Sequence, residues 1–331
     1  MIWIIKEDNY IVTEYYLDVI KESIMFMNQE IKVVDLISLK KCDYKKDIII
    51  VANILKAFNL IIRGFEKVIV WFQGLIPEES FMRNNNIFRK KVLELIEAYV
   101  LKKTILAIFV SNEMKKHYER KYKIEFHSNV YLMPCFNTEI IRESFFKKGK
   151  YENNTFVYVG SLSPWQGFDE VLKCYQKIEL LGIPNSKLLI LTPNQKEALQ
   201  KMKDSRISSY EIGFVQPSEL PDILSNAKFG FIIREDVVVN QVSTPTKIST
   251  YLANGVIPIY TSSLRDFKNQ ANKIKYQLLY DNNDFFSYLK NLVYKYIDPN
   301  EIYKDYLQLF NKYYNRKYHI SNLEKLLKEI L

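Results

Sequence analysis

The sequence has no apolar run approaching the roughly 20 residues that would span a bilayer. Its opening run, "MIWIIKEDNYIV", meets charge too early to serve as a secretory leader and is expected to begin with a strand. Cysteine is scarce: Cys42, Cys135 and Cys174 are scattered, odd in number and without metal-ligand spacing, which excludes a disulfide scaffold or a cysteine-based metal site. A reduced, cytoplasmic protein is expected. Histidine is scarcer in effect than in number. His117 falls in a polar helix, His127 in a loop and His319 near the end, and each is expected at the surface. No internal repeat, low-complexity segment or recognised nucleic-acid-binding motif is present, so no nucleic-acid partner is expected.

What is there is globular. Of the 331 residues, 48% are hydrophobic and 26% charged, and the length suits two domains. The net charge of +9 is uneven. Residues 1–50 carry 7 basic and 9 acidic side chains, residues 51–150 carry 18 and 10, and the remainder carries 22 and 19. The excess in the second of these segments suits an anionic partner, such as a membrane surface.

Strand-like and helix-length runs alternate along the chain. "MIWIIK", "IKVVDL", "DIIIVA", "KVIVWFQ", "TILAIFVS" and "NVYLMPCF" are six candidate strands in the first half. "TFVYVGS", "SKLLILT", "YEIGFV", "KFGFIIR", "VIPIYT" and "YQLLYD" are six more in the second. Continuous Val/Ile runs between helices indicate parallel sheets covered on both faces. The polar stretch "FFKKGKYENN" (145–154) reads as a linker. The expected architecture is α/β, with two Rossmann-like βαβ domains facing each other across a cleft. Their bounds are 1–148 and 149–298, followed by a helical segment, 299–331, that returns toward the first domain. Trp71 ends a strand and is expected in the core.

"QVSTPTKISTYLANGVIPIYT" (Gln241 to Thr261) carries the first chemical signal. Ser243 or Thr244 is a good N-cap, Pro245 suits the first helical position, and Thr246 and Lys247 then fall in the first turn. A helix start with a hydroxyl and an ammonium beside it is suited to phosphate, since the backbone N–H groups and the helix dipole favour an anion there. "FVYVGSLSPWQGFDEVL" adds a second turn of this kind. Gly160 permits close backbone approach, and Ser161 and Ser163 offer hydroxyls.

These segments resemble the donor-nucleotide domain of GT-B glycosyltransferases of the family-4 type, found in bacterial polysaccharide and glycan biosynthesis. A G-R-x-x-x-x-K-G loop of that family keeps its spacing here from Gly160 to Gly167. A later N-x-x-x-S-P-T-K-x-x-E-Y-L-A-x-G segment corresponds to Asn240 through Gly255. In the first half, "VIVWFQGLIPEES" resembles the family's acceptor-facing strand and loop, and "IFVSNEMKKHY" its V-S-x-x-M-K segment. The resemblance covers nearly the whole chain. It implies a retaining transferase acting on a nucleotide-diphosphate sugar, with the diphosphate between the Gly160 turn and the Pro245 helix start.

The departures are specific. The family's diphosphate-clamping arginine and lysine correspond to Ser161 and Gln166, and its two glutamates to Val242 and Thr250. Its acceptor-loop histidine corresponds to Gln73, beside Gly74. Lys247 and Arg234 are the available replacements for the lost cations. With no Asp-x-Asp motif, no metal or other cofactor is expected. Glu78 and Glu79, in the acceptor-facing loop, are the base candidates. Trp165 is placed to line the cleft or to pack on the other domain. The expected acceptor is a growing glycan or a lipid-linked one. Phe88, Val92, Leu95, Ile96 and Val100 fall near one helical face, with Arg89, Lys90, Lys91, Lys102 and Lys103 toward its ends. This region is expected peripherally on the inner face of an anionic membrane. A second reading is a catalytically degenerate relative that binds glycan or stabilises a partner transferase.

Overall fold

In the computed structural model, every strand run read from the sequence forms a strand. The structure describes residues 1–6, 10–39 and 42–331. Glu7, Asp8 and Asn9 of the opening run, and Lys40 and Lys41 of the charge count, lie outside the described residues. The chain divides into two units.

Unit 1 comprises Met1–Asn137, Val242–Thr244 and Lys312–Leu331. Its elements run β1 (Ile2–Ile5), α1 (Tyr10–Ile24), β2 (Ile31–Val34), β3 (Ile48–Val51), α2 (Ile54–Ile62), β4 (Lys67–Phe72), α3 (Ile76–Asn84), α4 (Ile87–Lys103), β5 (Leu106–Phe109), α5 (Asn112–Tyr122) and β6 (Val130–Leu132). The strands pair in parallel in the order β2-β1-β3-β4-β5-β6. β1, β3 and β5 are buried along their whole length, as a parallel sheet covered on both faces requires. Trp71, in β4, is in the core against Tyr16 of α1, with ring centroids 4.4 Å apart.

Asn86 caps α4 by accepting from the Arg89 N–H, and Ser111 caps α5 by accepting from the Met114 N–H. The Ser111 hydroxyl then donates to the Val242 carbonyl at 2.5 Å, which ties the 242–244 segment to unit 1. α4 buries only part of the face that helical spacing suggested: Val100 is buried and Ile96 half-buried. Leu93, Glu97, Val100 and Leu101 are its buried residues, while Phe88, Val92 and Leu95 are exposed. The reason is its partners: α4 packs on α2 and α3, which select a face carrying a glutamate.

Unit 2 comprises Thr138–Gln241 and Pro245–Asn311. It contains α6 (Arg142–Phe145), β7 (Thr155–Val159), α7 (Phe168–Leu180), β8 (Lys187–Leu191), α8 (Gln195–Ser205), β9 (Tyr210–Gly213), α9 (Leu220–Leu224) and β10 (Phe229–Ile232). There follow α10 (Val238–Gln241), α11 (Thr246–Ala253), β11 (Ile257–Tyr260), α12 (Arg265–Ala271), β12 (Leu278–Leu279), α13 (Phe285–Tyr294) and α14 (Pro299–Phe310). The sheet is again all parallel, in the order β12-β11-β10-β7-β8-β9. Residues 145–154, read as a linker, lie inside this unit, and Lys150, Tyr151 and Asn154 among them are buried. The strand order reverses between β7 and β10. In open α/β sheets the ligand crevice lies outside the carboxyl ends of the strands at such a point.

The last helix, α15 (Arg316–Ile330), belongs to unit 1 and packs on α1. This corrects the surface placement of His319, which is 3% exposed. Its Nδ1 stands 2.9 Å from the Tyr131 hydroxyl and its Nε2 3.1 Å from the Tyr313 carbonyl oxygen. Burial lowers its pKa. His127 is exposed and His117 half-buried.

Candidate functional site

The reversal point of unit 2 gathers the residues of interest. Gly160 follows β7 and Arg234 lies two residues beyond β10, its neighbour in the sheet. α11 begins at Thr246, so Lys247 stands in its first turn. Tyr251, one helical turn on, fastens α11 to the sheet: its hydroxyl accepts from the Val159 N–H at 3.1 Å. That contact needs Gly230 in β10, because a Cβ there would stand 2.5 Å from the Tyr251 ring. The tie holds Lys247 beside the Gly160 turn. Gly160 has φ +133°, and a Cβ on it would lie 3.2 Å from Lys247 Nζ. The turn therefore favours glycine for its backbone, and the lysine end packs close against it.

Lys247 Nζ donates to Gln166 Oε1 at 3.0 Å. Arg234 Nη2 donates to the same oxygen at 2.9 Å. Gln166 is presented by a single 3-10 turn, Pro164–Gln166. Arg234 is buried, and its Nη1 donates to Asn240 Oδ1 at 3.1 Å. Asn240, itself buried, is anchored by donating to the Glu235 carbonyl. The Lys247 ammonium lies over the Tyr158 ring, 4.6 Å from its centroid. Burial, and then the adjacent Arg234, hold the Lys247 pKa well below the ordinary lysine value. Among the described residues, no carboxylate forms a salt bridge with it. Two cations thus converge on one neutral acceptor at the carboxyl edge of a Rossmann-like sheet. Chemically this arrangement suits an anion.

No protein-family model matches the chain, and no curated protein matches it. Solved structures do. S. aureus TarM, in complex with Fondaparinux, alpha-GlcNAc-glycerol and UDP, superposes with a TM-score of 0.64 at 12% identity, over 88% of this chain and 57% of that one. Sucrose-phosphate synthase from Thermosynechococcus elongatus gives 0.63 at 12% identity, over 85% of this chain and 73% of that one. AviGT4, a glycosyltransferase involved in avilamycin A biosynthesis, gives 0.61 at 9% identity, over 99% and 97%. The fold is GT-B. The chain spans little more than half the length of TarM and nearly all of AviGT4.

Within the GT-B frame, unit 2 brings together Gly160, Gln166, Arg234, Asn240 and Lys247 of the residues singled out from sequence. Ser161 and Ser163 pair with each other, hydroxyl oxygens 3.1 Å apart. The Thr250 hydroxyl donates back to the Thr246 carbonyl at 3.1 Å. Ser243 and Thr244 do not cap the helix. Pro245, whose side chain can make no capping bond, takes the cap position. The reason is that the segment before it is held by unit 1, where Thr244 Oγ1 accepts from the Cys135 N–H at 2.9 Å. Val242 is buried there too. Trp165 is half-buried.

Glu78 and Glu79 stand in the first turn of α3 rather than in a loop. Glu78 is buried and accepts from Lys121 Nζ at 2.7 Å. Lys121 also donates to Glu97 at 3.3 Å, and the Tyr118 and Tyr122 hydroxyls donate to the same carboxylate at 3.1 and 2.6 Å. Burial pushes the Glu97 pKa up to about 7, against the opposing pull of Lys121 and Tyr122. Glu79 folds back beneath Gly74, its Oε1 2.1 Å from where a Cβ on that glycine would be. Gln73 is exposed. Sequence reasoning missed Tyr158 and the Glu97 cluster. Tyr158 sits in an unbroken strand run and the others in ordinary amphipathic helices, so no local signal marks them.

Proposed function

We propose that the chain is a retaining, metal-independent glycosyltransferase. It takes a sugar from a nucleoside-diphosphate donor and places it on a growing, lipid-linked glycan at an anionic membrane surface. The observation that carries the reading is Lys247. It is an ammonium held beside an arginine and a neutral amide, depressed in pKa by both burial and its cationic neighbour. A diphosphate supplies the missing negative charge.

In the reaction, the acceptor hydroxyl oxygen bonds to the anomeric carbon while the bond from that carbon to the diphosphate oxygen breaks. The hydroxyl proton passes to the departing oxygen, and attack from the same face keeps the configuration. Lys247 and Arg234 stabilise the charge that develops on the leaving group, and Asn240 positions Arg234. These side chains do what a divalent cation would otherwise do. On the acceptor side the candidate contacts are Glu78, engaged by Lys121, Glu79, paired with Arg83, and the neighbouring Gln73 and Gly74.

A catalytically silent relative that binds glycan or steadies a partner transferase is the second reading. It is favoured by Thr250, which stands where the resembled family carries the second of its two glutamates and bonds to its own helix. Calorimetric titration with nucleoside diphosphates, UDP first because TarM was captured with it, tests both. Binding with turnover of a nucleotide sugar supports the enzyme. Binding without turnover favours the silent relative, and absence of any nucleotide binding overturns the donor site.

A further inference from the structure

α2 and α4 present a continuous apolar surface to solvent. On α4, Phe88 is 77% and Leu95 73% exposed, and Val92 and Tyr99 lie on the same face at spacings of three and four residues. On α2, Leu55 and Ile62 are exposed, the latter 56%. Phe58 and Tyr99 join the two helices edge to face, with centroids 5.6 Å apart. Side chains of this size scattered singly would need no explanation, but a ridge shared by two packed helices does.

The charge around the ridge is mostly positive. Arg89 and Lys91 are exposed at one end of α4, Lys102 and Lys103 at the other, and Arg63 follows α2. α2 contains no acidic residue. Of the two glutamates of α4, Glu97 is fully buried, and Glu94 is half-buried and pairs with Lys91 at 3.1 Å and Lys121 at 3.7 Å, which leaves Arg89, Lys102, Lys103 and Arg63 as the excess. An apolar ridge rimmed by an excess of cations is the pattern of a helix lying in the interfacial plane of an anionic bilayer. A second copy of this chain would bring like charges together, which disfavours self-association through this face.

We infer that the α2–α4 face is a membrane-docking surface that inserts Phe88, Leu95 and Ile62 into an anionic lipid interface. This deepens the membrane part of the proposed function, and it differs from purely electrostatic attachment because the apolar side chains enter the lipid. Attraction to the headgroups is screened by salt, and insertion is not.

The test is co-sedimentation of the full chain with phosphatidylcholine vesicles, with and without phosphatidylglycerol, at low and high salt. The expected result is binding that needs phosphatidylglycerol and falls only in part at high salt. The double variant Phe88→Glu with Leu95→Glu should weaken it by about tenfold or more. Both residues are exposed, so the variant should keep its fold by circular dichroism and its affinity for UDP, which separates failure here from failure of the donor site. Absence of binding to anionic vesicles, or binding unchanged in the double variant, overturns the inference. So does a dimer in sedimentation equilibrium that the double variant converts to monomer, since the ridge would then be a subunit contact.

Discussion

Lys247 and Gln166 meet at 3.0 Å, an ammonium on an amide oxygen, at the position where the resembled family's loop carries a lysine. The neutral side chain turns a would-be repulsion into a hydrogen bond. It leaves the positive charge to Lys247 and Arg234, which come from another part of the sheet edge.

Lys247→Ala should weaken UDP binding by about 1.5–3 kcal/mol, the range for a hydrogen bond to a charged group. The ligand-free protein should lose no thermal stability, because an ammonium without a carboxylate partner is costly to hold in a buried place. Isothermal titration and a thermal melt check the two halves. Unchanged affinity in a folded variant would remove Lys247 from the site.

Binding of a diphosphate should take up a proton. The Lys247 pKa is depressed in the free protein, and an anion beside it restores the charged form. The titration enthalpy for UDP, measured across the pH range below the ordinary lysine value, should therefore differ at some pH between buffers of different ionisation heat, and Lys247→Ala should abolish the difference. Equal enthalpies in wild type would count against a shifted lysine at the site.

Glu97→Gln should alter the pH dependence of stability. The folded-state pKa of Glu97 is raised from 4.5 to about 7, chiefly by burial. A raised carboxyl contributes stability that is fully present below the unfolded value and is lost as pH rises through the folded one. Between those limits the native state holds the extra proton, so stability falls with pH by at most about 1.4 kcal/mol per pH unit for this one group. The variant, which cannot ionise, should show a flatter profile in denaturant unfolding across that window. Parallel profiles for the two proteins would show that Glu97 is ionised throughout.

The sequence by itself determined the twelve strands among the described residues, since each follows a short apolar run alternating with helix-length segments. It also determined the glycine turn at Gly160 and the helix start before Lys247, because both depend on residues within one turn of each other. Only the tertiary structure decided what those segments do together. That Gln166 bridges Lys247 and Arg234 across 81 and 68 positions, and that Asn240 orients the arginine, follow from strand order, which brings β7 beside β10. Helical periodicity gave α4 an apolar side but not its inward side. That was set by α2 and α3, which bury Glu97 among tyrosines and a lysine and leave Phe88 and Leu95 in solvent. Ser243 and Thr244 were the best local caps for α11, yet unit 1 holds the segment by hydrogen bonds from Ser111 and Cys135, more than a hundred positions away. Local rules fix which element forms. Which side chains it spends on packing and which it leaves for a ligand depends on neighbours that are distant in the chain.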